Sequence, residues 1–178
     1  KTERRCAAEI IRRAKEAGFV CICEKKELKA GDKVYYNNRG KAVMLSVIGS
    51  EPLENGMNIV GSHIDSPRLD IKQNPVYEAG GTTLLKTHYY GGVKKYQWVA
   101  LPLALYGVIV KANGEKVEIA VGDKCGDPVF YISDLLPHLA KDQMSKTMSE
   151  GVEGESLNIL IGSLPVDDTE ASDRFKNA

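Results

Sequence analysis

The chain has 178 residues, 43% of them hydrophobic and 27% charged, enough for one ordinary domain or two small ones with cores of their own. Lys plus Arg balance Asp plus Glu at 24 each, so no basic excess points to nucleic acid or an anionic membrane surface. No apolar run reaches the roughly 18 residues of a membrane span, and the charged, helix-patterned N-terminus is unlike a signal peptide.

Residues 2–17 place Cys6, Ala7, Ile10, Ile11 and Ala14 on one helical face, with Thr2 as cap and Gly18 as stop. Glu3, Glu9 and Glu16 dilute the arginines of the opposite face, which reads as a solvated surface. Strands are expected at 33–37, 41–49 and 57–63, the last apolar on both faces as in a strand buried within a sheet. Asn55-Gly56 marks a turn before it. Beyond Asp70 the chain becomes β-rich and glycine-punctuated, with a strand at 82–90 and a hairpin at 105–112 and 115–122 around Asn113-Gly114. The pattern predicts a helix over 133–148, capped by Ser133 and tolerating Pro137 in its first turn. A strand is expected at 157–165, and the polar 170–178 stretch resembles the entry to another helix. With no initiator Met and that polar end, the chain is expected to be a fragment.

The four cysteines, Cys6, Cys21, Cys23 and Cys125, fit neither a disulfide framework nor zinc-finger spacing. Cys21 and Cys23 are expected to be too close for an easy bridge, so free thiols and a cytoplasmic location are anticipated.

Chemistry concentrates in 61-GSHIDSPRLDIK-72. Residues two apart on a strand project to one face, so His63 and Asp65 are expected to share a cleft at a strand end. An Asp there can fix the imidazole of a metal-ligating His. The spacing alone leaves open a His and Asp that merely hydrogen-bond to loop backbone. No G-x-S-x-G elbow surrounds Ser62 or Ser66, and Gly40-Lys41 lacks the upstream glycine of a phosphate loop.

That run, with 87-THYYGGVKKYQW-98 and 133-SDLLPHLAKDQ-143 in the same order, resembles the M18 family of metallo-aminopeptidases. The likeness is greatest to the bacterial aminopeptidase I branch, related to aspartyl aminopeptidases. The resemblance implies an α/β fold: the N-terminal part of a zinc-peptidase-type catalytic domain, residues 1–70, followed by a β-rich inserted dimerisation domain, residues 71–178, incomplete. It also implies removal of N-terminal residues from peptides by a two-metal-activated water. Two zinc ions per complete subunit are expected, with manganese or cobalt as alternatives. By the same resemblance His63 is a metal ligand, Asp65 is the catalytic-site aspartate that orients it, and subunits assemble through dimers into dodecamers.

The family's general base and remaining ligands lie downstream of the inserted domain, and this chain has no Glu-Glu pair and no histidine after His138. Zinc takes about three or more protein ligands, so the chain by itself is expected to be inactive. His138 precedes the position of the key histidine of aspartyl aminopeptidases, where this chain has Asp142. Three roles therefore stand open for it: metal ligand, substrate contact in a neighbouring subunit, or structural histidine. His88 reads as part of a β surface or interface, and Tyr89, Tyr90, Tyr96 and Trp98 as core or contact aromatics, of which the resemblance favours a subunit interface. The alternative to an enzyme is a non-catalytic oligomerisation or interaction module derived from one.

Overall fold

The computed structural model describes residues 2–167, 170 and 173–175. The chain forms two compact units, Lys1–Ser66 and Pro67–Ala178.

The first unit opens with helix α1, Glu3–Glu16. The Thr2 hydroxyl accepts from the Arg5 N–H at 3.4 Å and caps an orphan donor of the first turn. Ala7 and Ala14 are buried, and their small side chains let the helix lie close to its neighbours. On the outer face Arg12 bridges Glu9 at 2.8 Å and Glu16 at 2.6 Å, while Arg13 reaches Glu9 at 2.7 Å. Hydrogen bonds from Arg12, then Arg13, hold the Glu9 carboxyl down at about 2. These arginines are thus engaged with neighbours on their own helix, in keeping with a solvated face.

A three-stranded sheet follows, in the order β1 (Val20–Cys21), β2 (Lys33–Asn38), β3 (Ala42–Val47). β1 runs parallel to β2, and β2 antiparallel to β3, with Tyr36 opposite Met44. The turn between β2 and β3 puts both Arg39 (φ 56°) and Gly40 (φ 70°) in the left-handed region. That conformation matches the twist of a tight hairpin, and the Asn37 side chain accepts from the Gly40 N–H at 2.9 Å.

Two expectations for this unit are overturned. Residues 57–63 form no strand, and Ile59 and Val60 are 79% and 99% exposed. An apolar run becomes a strand only where a neighbour completes its ladder, and none among the described residues does so. Cys21 and Cys23 are joined by a disulfide rather than free. The backbone bends into a 3-10 turn at Ile22–Glu24 and brings their Cα atoms to 5.3 Å, a separation a disulfide spans. Cys6 and Cys125 are free thiols.

In the second unit the sheet order is β4 (Arg68–Ala79), β5 (Thr82–Tyr90), β8 (Ile159–Gly162), antiparallel throughout. Strand β4 was not expected from the pattern. Its register with β5 shifts between Ile71 and Val76, where Gln73, Asn74 and Pro75 interrupt the apolar alternation. Pro75 is tolerated because β4 is an edge strand. The β4–β5 turn is Gly80-Gly81, both at positive φ, and the Phe175 ring lies over it. The Phe175 N–H donates to Glu78 at 3.0 Å, seating that end of the chain.

The predicted hairpin is present as β6 (Leu105–Val110) and β7 (Lys116–Val121). Just beyond it, Gly122 has φ 96°, and a Cβ there would lie 3.1 Å from both the Ala104 Cα and the Leu103 carbonyl. The Asp127 carboxylate accepts from the N–H of Gly122 at 3.0 Å and of Lys124 at 3.2 Å, closing the loop. Those backbone donors hold the Asp127 carboxyl below the usual carboxylate range. Gly122→Ala is therefore expected to cost about 1–3 kcal/mol through positive φ and backbone crowding. Urea unfolding measures it, and an unchanged midpoint would contradict the assignment.

Leu85, Ile132, Val152, Leu157 and Ile159 form the core of this unit. Tyr96 and Trp98 pack against it, partly buried. Tyr89 and Tyr90 stay about two-fifths exposed. The helix expected over 133–148 is reduced to α2, Lys141–Ser145. Asp134 accepts from the Leu135 N–H at 2.9 Å and from Gln143 Nε2 at 3.0 Å, holding a non-helical turn. Pro137 biases Leu136 away from helix, and Ser133 caps nothing. The strand expected at 157–165 is present in its central part as β8. Of the stretch expected to enter another helix, Glu170 and Asp173–Phe175 lie in turns; its remaining residues lie outside the described ones.

Candidate metal centre

His63 and Asp65 meet without a strand to align them. They lie in an irregular segment before Pro67, with neither strand nor turn. His63 Nδ1 is 3.0 Å from the Asp65 carbonyl oxygen and 3.2 Å from its carboxylate. A carbonyl oxygen only accepts, so Nδ1 is the donor of this contact, and the tautomer that makes it leaves Nε2 for a ligand. The His63 side chain is 84% exposed, that of Asp65 39%. The imidazole is thus held on one nitrogen and open to solvent at the other, the usual arrangement of a metal-ligating histidine and its supporting oxygen. The carbonyl contact is also the hydrogen bond to loop backbone that the spacing alone left open.

The rest of the motif belongs to the second unit. Arg68 pairs with Asp70 at 2.8 Å and lies 4.1 Å from the centre of the Tyr90 ring. Asp70 sits opposite His88, which is exposed and stacks on Tyr89 at 5.6 Å. His138 is also in this unit, exposed in the turn after Pro137 rather than on a helix. No group of three or more His, Cys, Asp or Glu positioned to hold a metal occurs among the described residues. Nor is any helix among them long and apolar enough to cross a membrane.

Comparison with known proteins agrees with the motif. The family described as aminopeptidase I zinc metalloprotease (M18) matches residues 1–178. A probable M18 family aminopeptidase 1 of Clostridium acetobutylicum is 54% identical over 181 residues, covering 99% of this chain and 39% of the relative. The crystal structure of an M18 aminopeptidase from Thermotoga maritima matches with a TM-score of 0.88 at 44% identity, covering 99% of this chain and 39% of that one. That of aminopeptidase I from Clostridium acetobutylicum gives 0.84 at 49% identity, covering 98% and 39%. The chain therefore spans about two-fifths of the length of the relatives it matches. With the match running from first residue to last, the chain belongs to the M18 family of aminopeptidase I zinc metalloproteases.

Proposed function

We propose that the full-length polypeptide carrying this chain is a metal-dependent aminopeptidase that removes the N-terminal residue of peptides by two-metal activation of water. The observation that carries the reading is the His63–Asp65 pair, with Nδ1 tied down and Nε2 presented. His63 holds one ion through Nε2. Asp65 keeps the ring in the ligating tautomer with its carbonyl, and its carboxylate adds negative charge beside the ring. Zinc suits the imidazole donor and the family's description, two ions per complete subunit, with manganese or cobalt also compatible with His and carboxylate ligands. When bound, the ions supply Lewis-acid polarisation of the scissile carbonyl and lower the pKa of the attacking water. The other ligands and the general base come from the rest of the polypeptide, and His138 is a weaker candidate for metal or substrate contact.

In this reading residues 1–70 belong to the catalytic domain and 71–178 to a dimerisation domain. The enzyme is a cytoplasmic homo-oligomer built on dimers, up to a dodecamer. The free thiols of Cys6 and Cys125 support the location; the Cys21–Cys23 bond does not.

The test is turnover of aminoacyl p-nitroanilides and their N-acetylated counterparts by the full-length protein, before and after chelation. Cleavage of free-amine substrates only, lost on chelation and restored by zinc, is the expected result. A metal-free full-length protein that binds itself but hydrolyses neither substrate would favour the interaction module instead.

A further inference from the structure

The Cys21–Cys23 bond takes no part in the function proposed above. Cys21 ends β1 in register with the buried Tyr35, and Cys23 is exposed in the turn that follows. Their ring encloses a single residue, Ile22. A cross-link stabilises mainly by restricting the unfolded chain, and the gain grows with the loop it closes. A ring this small restricts almost nothing, so the bond is poorly placed as a staple. The exposed sulfur of Cys23 is open to an attacking thiolate, and exposed disulfides are the readily exchanged ones. Behind the bond runs the connection to β2, which carries Lys25, Lys26 and Lys29 on its surface. Its far end is closed by Asp32, which accepts from Lys25 Nζ and from the Lys29 N–H, each at 2.9 Å.

We infer that Cys21 and Cys23 are a reversible redox pair, opened by dithiols, which sets how firmly the Ile22–Glu24 turn at the head of the connection to β2 is held. A dithiol thiolate attacks Cys23 Sγ, forming a mixed disulfide and releasing Cys21 as a thiolate that takes up a proton. The second thiol of the reductant then attacks its own sulfur in the mixed disulfide and frees Cys23, which is protonated in turn. Two electrons and two protons pass to the protein, and the reductant departs as its cyclic disulfide. Once open, Cys21 keeps its place in β1 opposite Tyr35, and the turn at Ile22–Glu24 is held by the Lys25 N–H donating to the Ile22 carbonyl at 3.1 Å and by Asp32 beyond it.

The experiment equilibrates the full-length native protein in oxidised or reduced dithiothreitol, quenches with acid, unfolds, and alkylates for peptide mass spectrometry. Cys6 and Cys125 serve as internal references. Expected in the oxidised buffer is protection of Cys21 and Cys23 while the references are modified. In the reduced buffer all four are modified, and trypsin cuts after Lys25, Lys26 and Lys29 severalfold faster. The double variant Cys21→Ser/Cys23→Ser is cut at the faster rate in both buffers. Full alkylation of both cysteines in the oxidised buffer would overturn the inference. So would a bond that survives excess dithiol in the native protein, or equal cleavage rates in the two states.

Discussion

Replacing His63 by alanine in the full-length protein is expected to abolish peptidase activity and to lower bound zinc, while leaving the fold intact. The side chain is 84% exposed, so its loss removes no packing and stability stays within about 0.5 kcal/mol. Asp65→Asn is the informative companion. The Asp65 carbonyl remains to accept from Nδ1, and the new amide oxygen accepts as well, so the tautomer survives and only the negative charge is lost. Changes to such supporting groups cost about 10–100-fold in metal affinity or activity. The order expected is therefore wild type, then Asp65→Asn, then His63→Ala below detection. Steady-state kinetics with zinc analysis measures it. Normal turnover by His63→Ala would remove this residue from the metal centre, and an Asp65→Asn variant as dead as His63→Ala would require a direct role for the carboxylate.

The second large effect lies in the core of the β-rich unit. Ile132 and Leu157 are each 1% exposed, the largest side chains wholly enclosed there. Ile132 also fixes backbone, since its carbonyl accepts from the Ala100 N–H at 2.8 Å. Truncating it to alanine leaves that bond in place and isolates the cost of the cavity, about 2–5 kcal/mol. In a unit of this size the melting temperature falls by roughly 10–20 °C. Leu164→Ala is the control: at 79% exposure it shifts stability by no more than about 0.5 kcal/mol. Calorimetry on the two variants decides the matter, and equal small shifts would mean that the core is not where burial places it.

What could be read from the sequence was what local chemistry controls. The Thr2 cap and apolar stripe of α1, the Asn55-Gly56 and Asn113-Gly114 turns, and the alternation of β5, β6 and β7 all report within a few residues of themselves. Elements that depend on a distant neighbour were harder. The 57–63 run has strand composition but no ladder partner among the described residues, so composition alone misled. Strand β4 shows the reverse: Gln73-Asn74-Pro75 spoils its pattern, yet pairing with β5 holds on both sides of the break. Across 133–140 the apolar spacing suggested helix, but a side-chain bond from Gln143 to Asp134 and a mid-segment proline won. At the candidate metal centre the pairing of His63 with Asp65 was anticipated, and so, as the alternative, was a hydrogen bond to loop backbone. A strand was expected to align the two side chains; an irregular segment brings them together, with the carbonyl and the carboxylate both near Nδ1.

The break in β4 has a consequence for the nascent protein. Among the described residues β4, twelve residues long, has a neighbour on one side only, and such an edge is a template on which another chain can add itself. Pro75 withdraws one donor from that row, and the register shift around it kinks the ladder. Strand addition from a second molecule can start on either side of the proline but meets a missing bond before it covers the full length. At the protein concentrations of a ribosome-crowded cell, the residues that obscure β4 in the sequence therefore guard its edge against aggregation.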